Sequence, residues 1–169
     1  SATIPNAEAL LLNNPKEIDE HKKVVALLSM DLAHVATDIH VSKFRYVDVI
    51  EKSTGNLLQT SSEIIGTLEN NWQGHLGEIL SKLLPAGSIC GAPREKTMEI
   101  IQEAETYDRG YYTGIAGIFD GYSLNTCVLI RFIERIGEKF YYKSGAGITA
   151  YSNPESEYKE ILEKIYIPN

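Results

Sequence analysis

The sequence predicts an α+β fold in which helices flank an antiparallel sheet, and three observations support this prediction. Stretches with helical periodicity and stretches with strand alternation form separate blocks, in the order helix, two strands, two helices, three strands, helix. Short turns, and no helices, separate the strands within a block, which indicates antiparallel pairing. Of the 169 residues, 43% are hydrophobic and 23% charged, a composition typical of one globular domain that buries roughly 70% of its unfolded surface.

The first block is helical and leads into a predicted hairpin. "PNAEALLLNN" is a short helix candidate. From Pro15, which suits a first helical turn, "PKEIDEHKKVVALLSMDLAHVA" repeats its apolar residues at a helical period. "IHVSKFRYVDVIEK" alternates like a strand with one irregularity, "STGN" reads as a turn, and "LLQTSSEIIGTL" reads as a second strand.

The second part of the chain begins with helices and continues with strands. "QGHLGEILSKLL" and "REKTMEIIQEAE" are predicted helices, and "PAGSICGAP" is the predicted loop between them. Three strand-like runs follow, "YYTGIAGIFD", "SLNTCVLIRFIER" and "EKFYYKSGAGITA", separated by turns at "GYS" and "IGE". We therefore expect an antiparallel meander, closed by a helix over "NPESEYKEILEKIY".

Charge and cysteine content limit the class of protein. The formal net charge of −7 argues against nucleic acid as the main ligand, because nucleic-acid-binding domains usually present a basic face. Two cysteines, Cys90 and Cys127, do not make a disulfide scaffold, and the spacing of zinc ligands is absent. "SATIPNAEALLLNN" does not have the pattern of a secretory signal, and no window approaches the ~20 apolar residues of a membrane span. We expect a reduced, cytoplasmic protein without a membrane or nucleic-acid partner.

Two helices each carry a pair of glutamates three residues apart, Glu17 with Glu20 and Glu157 with Glu160. Residues at i and i+3 lie on one helix face, roughly 5–6 Å apart at Cβ. Such carboxylates repel each other unless a cation lies between them, and Mg²⁺ prefers oxygen ligands. The alternative is a solvated helix face, which the favourable i to i+4 spacing of Glu160 and Lys164 supports.

Other stretches are compatible with anion binding, each with a structural alternative. The helix that follows the loop "PAGSICGAP" could bind a carboxylate or phosphate at its N-terminus, or the loop could serve only as a helix entry. In "KSGAGITA", successive N–H groups could form an anion-binding concavity, or the glycines could mark a bulge or tight turn. Arg131, within the apolar run "CVLIRFI", needs either an internal ion pair or a carboxylate that it clamps through two hydrogen bonds. Cys90 lacks a candidate base nearby in sequence, and the histidines do not cluster.

Taken together, five stretches resemble the chorismate-utilising enzymes. These stretches are "PKEIDEHKKVVALLSMDL", "LLPAGSICGAPREKTMEII", "YYTGIAGIFD", "LNTCVLIR" and "KSGAGITAYSNPESEYKEILEK", and they occur in the family's order over nearly the whole chain. The family includes component I of anthranilate synthase, component I of aminodeoxychorismate synthase, and the isochorismate and salicylate synthases. Family members are about twice as long as this chain, so the resemblance implies that residues 1–169 form the C-terminal half of the chorismate-binding, anthranilate synthase component I-like fold.

The resemblance implies roles for particular residues. Magnesium would be held by the two glutamate pairs and would bind the ring carboxylate of chorismate. The residues that match substrate-binding positions of the family are Ser88, Tyr112, Arg131, Gly145, Ala146, Gly147 and Lys164. The family's catalytic acid and lysine precede this region, so no catalytic residue is expected within the chain. We therefore expect the chain alone to be inactive, and to self-associate where strand edges lack their partners.

The wording of the motifs is most similar to the aminodeoxychorismate branch of the family, which serves para-aminobenzoate and folate synthesis. That branch aminates chorismate with ammonia from a glutamine amidotransferase subunit. Many members carry a histidine in the second strand where this chain has Gln59, and in the anthranilate branch that histidine is tied to pyruvate elimination. Gln59 therefore argues against anthranilate as the product. The alternatives are anthranilate synthase component I, isochorismate synthase, and an inactive metal-binding fragment.

Overall fold

The computed structural model describes residues 4–51 and 55–166, and these divide into two compact units. The first unit extends to Glu103 and the second begins at Ala104. Both units combine helices with antiparallel strand pairs, which confirms the predicted α+β class. None of the helices within the described ranges is both long enough and apolar enough to cross a lipid bilayer.

The first unit contains five helices and one hairpin within its described residues. The elements are α1 (Ala7–Leu12), α2 (Pro15–Leu32), β1 (Ala36–Ile50), β2 (Leu57–Leu68), a 3₁₀ turn (Trp72–His75), α3 (Leu76–Leu83), α4 (Gly87–Cys90) and α5 (Arg94–Ala104). Strand β2 has the predicted bounds, and β1 pairs with it antiparallel. Strand β1 is irregular as predicted, but it has three shifts of register between Thr37 and Tyr46 where one irregularity was predicted. Two of the four residues of the predicted turn "STGN", Ser53 and Thr54, lie outside the described residues.

Helices α1 and α2 pack on the hairpin, and Arg45 of β1 fastens them there. The Arg45 side chain is buried, with a relative exposure of 7%. Its guanidinium donates to two backbone carbonyls, those of Glu17 at 3.0 Å and Leu11 at 2.9 Å. A buried cation is costly unless its donors are bonded, so these carbonyls determine where the arginine can lie. The start of α2 is thereby fixed to the middle of β1.

The segment "PAGSICGAP" was predicted to be a loop, but part of it is helical. Residues Gly87–Cys90 form one helical turn, α4, closed by the hydrogen bond from the Gly91 N–H to the Gly87 carbonyl at 2.9 Å. This turn packs against α2, and the Cys90 side chain is fully buried. Burial of an apolar side chain on a neighbouring helix thus orders a stretch that its Gly and Pro content alone would class as loop.

The second unit consists of two hairpins and a helix within its described residues. Its elements are β3 (Ile115–Phe119), β4 (Leu124–Val128), β5 (Phe132–Ile136), β6 (Lys139–Lys143) and α6 (Pro154–Lys164). The predicted turns are confirmed. Asp120 accepts hydrogen bonds from the N–H groups of Tyr122 and Ser123 at 2.8 and 2.7 Å. Gly137, with φ +61°, begins the two-residue loop between β5 and β6.

The predicted three-stranded meander is wrong. "SLNTCVLIRFIER" is not one strand but two, because the chain bends at Ile130 and Arg131. The Ile130 N–H donates to the Val128 carbonyl at 2.9 Å, a three-residue turn that ends the β3–β4 ladder. Strand β3 pairs only with β4, and β5 only with β6, among the residues that the structure describes. Arg131 therefore lies in a bend and not inside a buried strand.

Candidate functional site

The first predicted glutamate pair lies at the beginning of α2. Glu17 is exposed, and its backbone N–H donates to the Asn14 side chain at 3.4 Å. Glu20 follows one turn later and is half-buried. The hydrogen bond from Arg45 to the Glu17 carbonyl fixes the backbone of this turn against β1. Glu17 and Glu20 therefore lie on a helical turn whose backbone is held by Arg45. The sequence pattern did not predict this contact.

The second predicted pair lies on α6. Asn153 caps this helix by accepting a hydrogen bond from the Ser156 N–H at 3.0 Å, and Pro154 occupies the first turn. Glu157 is half-buried, whereas Glu160 is exposed and forms an ion pair with Lys164. The contact expected for a solvated helix face is therefore present at Glu160, and it joins two residues that the resemblance assigns to the site.

The oxygen-only donor set suits Mg²⁺, but convergence of the four carboxylates stays a prediction. Each pair belongs to its own unit, Glu17 and Glu20 to the first and Glu157 and Glu160 to the second. Across residues 4–51 and 55–166, no three side chains of His, Cys, Asp or Glu form a metal-binding group. Within each unit, the predicted metal ligands are therefore only the two carboxylates of one helix face.

Tyr112 and Gly145, both predicted to bind substrate, are in contact within the second unit. A Cβ atom added at Gly145 would overlap the Tyr112 hydroxyl oxygen and would lie 3.3 Å from the ring carbon Cζ. The tyrosine is half-buried, and burial raises the pKa of its hydroxyl, so the group stays protonated at neutral pH. A protonated phenol can donate a hydrogen bond to a carboxylate.

Arg109, which sequence reasoning missed, supports this tyrosine. Its guanidinium lies over the Tyr112 ring, 5.6 Å from the centroid, and donates to both Glu105 carboxylate oxygens at 2.6 Å. A third hydrogen bond joins it to the Thr113 hydroxyl at 3.1 Å. The hydrogen bonds from Arg109 lower the pKa of the Glu105 carboxyl. The i to i+4 spacing of Glu105 and Arg109 was the available sequence signal, but it lies in "ETYDRG", which reads as a connection.

The segment Gly145–Ala146–Gly147 follows β6 as irregular chain. Residues 144–149 contain no turn, and neither glycine has a positive φ, so the tight-turn alternative does not apply here. Gly145 is instead required by the close approach of Tyr112, while a Cβ at Gly147 would meet nothing within 4 Å. The Oγ atom of Ser144, just before this segment, is buried and has no hydrogen-bond partner among the described residues.

The remaining predicted substrate-binding residues lie apart from this contact in sequence. Arg131 is half-buried in the bend between β4 and β5 and forms no ion pair with any residue that the structure describes. The internal ion pair proposed as one alternative is therefore not seen among those residues, and the carboxylate clamp stays a prediction. Ser88 is exposed within α4 of the first unit, and Gln59 is exposed on β2 opposite Asp48.

Comparison with known proteins identifies similar sequences. A family described as "chorismate binding enzyme" matches residues 5–168. An uncharacterised PabA-like protein of Haemophilus influenzae is 58% identical over 99% of this chain and 51% of its own length. Aminodeoxychorismate synthase component 1 of Bacillus subtilis is 36% identical, covering 92% of this chain and 33% of its own. Anthranilate synthase component 1 1 of Haloarcula marismortui is also 36% identical, with 93% and 32% covered.

A solved structure is similar as well. The Bacillus anthracis protein DhbC, assigned as a 2,3-dihydroxybenzoate-specific isochorismate synthase, superposes with a TM-score of 0.74 at 31% identity. The superposition covers 91% of this chain and 40% of that one. The chain thus spans about half the length of the Haemophilus relative and less of the others.

Proposed function

Because the chain belongs to the family of chorismate-binding enzymes, we propose that it forms the C-terminal half of an aminodeoxychorismate synthase component I. In the complete polypeptide, ammonia would attack C4 of chorismate, a C–N bond would replace the C–O bond, and water would leave. The ammonia would come from a glutamine amidotransferase subunit in the cytoplasm. The observation that carries the proposal is the contact of the Tyr112 hydroxyl with Gly145, since it joins two residues that the family likeness assigns to substrate.

The residues of the second unit would bind the enolpyruvyl carboxylate of chorismate. Tyr112 offers a protonated hydroxyl, and the N–H groups of residues 145–147 belong to a segment without regular secondary structure. Arg131 would add a guanidinium, whose two parallel N–H groups match the geometry of a carboxylate. These groups hold an anion without supplying or removing a proton, so their contribution is binding and orientation.

The glutamate pairs would hold magnesium against the ring carboxylate. Glu17 and Glu20 would contribute from α2, and Glu157 and Glu160 from α6. When bound, the cation would act as an electrostatic clamp on the substrate carboxylate. Glu160 already forms an ion pair with Lys164, so Lys164 would have to release it or shift toward the substrate. The pairing keeps Glu160 compensated when no metal is bound.

Anthranilate synthase component I is the second candidate. The Haloarcula relative from that branch is as similar to this chain as the Bacillus subtilis relative from the aminodeoxychorismate branch, each at 36% identity. Gln59 distinguishes the two proposals, because pyruvate elimination in the anthranilate branch is tied to a histidine at the matching position. The isochorismate branch is represented by the structural relative. A catalytically inactive metal-binding fragment is the non-enzymatic alternative.

Product analysis tests the proposal. The complete polypeptide that contains this chain is incubated with chorismate, Mg²⁺ and ammonia. The products are separated by chromatography and identified by mass spectrometry. We expect 4-amino-4-deoxychorismate without release of pyruvate. Anthranilate with pyruvate, or isochorismate, would assign the protein to another branch. The 169-residue chain alone should show no turnover, and magnesium-dependent consumption of chorismate by it would contradict the half-domain interpretation.

A further inference from the structure

A buried carboxylate that sequence reasoning did not single out lies at the end of α2. Asp31 has a relative exposure of 6%, and both of its carboxylate oxygens accept hydrogen bonds. Oδ2 accepts the backbone N–H of Gly87 at 3.1 Å, and Oδ1 accepts the guanidinium of Arg94. The charge is therefore compensated within the first unit, as a buried ionised group requires.

The two groups that Asp31 binds enclose the segment that carries Ser88. Gly87 begins α4 and Arg94 begins α5, so one carboxylate joins both ends of residues 87–94 to α2. The fit is close, because a Cβ at Gly87 would overlap Asp31 Oδ2 and would lie 2.9 Å from Leu27 Cγ. The helical turn of residues 87–90, here called the Ser88 turn, thus has little freedom to shift on α2.

We propose that Asp31 is a positioning residue for substrate binding, which acts by holding the Ser88 turn and thereby the Ser88 hydroxyl in place. The inference rests on the proposed function, in which Ser88 lines the chorismate pocket. Ser88 itself is exposed, and its hydroxyl forms no hydrogen bond with any described residue, so the backbone of the turn sets the position of the hydroxyl there. Asp31 restrains the backbone of the turn through its hydrogen bond with the Gly87 N–H at the start of the turn. Its ion pair with Arg94 restrains the segment that follows the turn.

Cys90 provides a direct readout of this turn. Its side chain is fully buried at the end of α4, whereas the second cysteine, Cys127, is exposed in the second unit. In a Cys127→Ser background, reaction of Cys90 with a thiol reagent measures how often the turn opens. Asp31→Asn replaces one carboxylate oxygen with an NH₂ group, which cannot accept a hydrogen bond from the Gly87 N–H or from Arg94. Because one of the two restraints on the turn is then lost, we expect labelling of Cys90 to accelerate about tenfold or more.

A matched control separates local opening from general loss of stability. Asp19→Asn makes the same change on the same helix, at an exposed residue paired with Lys23, and should leave the labelling rate unchanged. Amide exchange in the β1–β2 ladder should differ by less than about twofold between the variants, because the Asp31 carboxylate bonds Gly87 and Arg94 and, among the described residues, no group of that ladder. Unchanged labelling in Asp31→Asn, or equal acceleration of labelling and ladder exchange, would overturn the proposal.

A double-mutant cycle tests whether Asp31 acts through Ser88. In the complete polypeptide, Asp31→Asn should raise KM for chorismate severalfold with a smaller effect on kcat, and it should have little further effect in a Ser88→Ala background. An equal effect in both backgrounds would refute the positioning role. Absence of chorismate binding by the unsubstituted polypeptide would refute both the role and the proposed function. Faster labelling of Cys90 in Asp31→Asn than in the unsubstituted polypeptide would still show that Asp31 holds the Ser88 turn.

Discussion

Tyr112 reaches the backbone of Gly145 only because position 145 lacks a side chain. Gly145→Ala would force a methyl group into the tyrosine hydroxyl, so either the ring or residues 144–149 must move. Such overpacking typically costs about 1–3 kcal/mol. We expect weaker chorismate binding by the complete polypeptide, measured by calorimetry. Gly147→Ala is the matched control, since a Cβ there has open space, and equal effects of both substitutions would contradict the role given to Gly145.

Glu157 and Glu160 are the carboxylates of α6 that the metal proposal needs. Glu157→Gln keeps the shape of the side chain and removes the charge, so the Mg²⁺ concentration for half-maximal activity should rise about tenfold or more. Glu160→Gln should act in the same direction and should also free Lys164. Folding should change by less than about 0.5 kcal/mol, as is usual for surface positions. Glu163→Gln, on the same helix, is the control, and an equal response there would assign the effect to net charge alone.

At the scale of elements, the Glu105–Arg109 pair of the second unit joins the residue that follows α5 to the turn that carries Tyr112. The hydrogen bonds from Arg109 lower the pKa of Glu105 in the folded protein. The stabilisation is therefore present above the unfolded carboxyl pKa of about 4.3 and is lost as pH falls through the folded value. In urea unfolding followed from pH 7 to 3, Glu105→Gln should remove part of the acid-induced loss of stability. Glu103→Gln should not, and identical pH profiles for all three proteins would argue against the pair.

Sequence patterns predicted elements where periodicity is long and failed where tertiary contacts decide. Helix α2 and strand β2 follow from sustained apolar spacing, and Asn153 with Pro154 marks the start of α6. The strand that was predicted through Arg131 breaks because the Ile130 N–H donates to the Val128 carbonyl and turns the chain out of the β3–β4 ladder. Helix α4 forms in a Gly- and Pro-rich stretch because it packs on α2. Neither the turn at Ile130 nor the packing of α4 on α2 can be predicted from the local sequence pattern.

The candidate site shows the same division. The glutamate pairs and Tyr112, Arg131 and Gly145 were singled out because they lie in motifs that the family resemblance marks, and their roles stay predictions. Asp31 and Arg45 were not, because their hydrogen-bond partners are distant in sequence. Arg109 was not, because its i to i+4 pair with Glu105 lies in a stretch that reads as a connection. From sequence alone, a charged residue in a helix or strand is predicted to be exposed, because most charged residues are. Its burial can be recognised only when its hydrogen-bond partners are known.

At the scale of the whole molecule, the hairpins of the second unit expose large apolar side chains. Ile118 is 79% exposed and Phe140 69%, and no described residue from 104 to 166 is buried. Each two-stranded ladder also leaves outer edges that can pair with another strand. We expect concentration-dependent self-association of the 169-residue chain, measured by analytical ultracentrifugation.

Replacing both exposed residues tests whether these hairpins are responsible. Ile118→Lys with Phe140→Glu should weaken self-association without lowering the midpoint of unfolding, because exposed side chains contribute little to the fold. The pair Val24→Lys with Met30→Glu, exposed apolar residues of α2 in the first unit, is the comparison. A chain that stays monomeric at all concentrations would contradict the expectation, and equal effects of the two pairs would place the contact elsewhere.

The missing side chain at Gly145 also constrains how this protein can evolve. Any single base change in a glycine codon that alters the amino acid adds a Cβ or ends translation, so every such step meets the Tyr112 hydroxyl. Replacing Tyr112 with Phe first would remove the overlapping oxygen and leave the ring carbon at a tight but tolerable distance. Alanine at 145 is therefore accessible only in one mutational order, and the two positions should drift together or not at all.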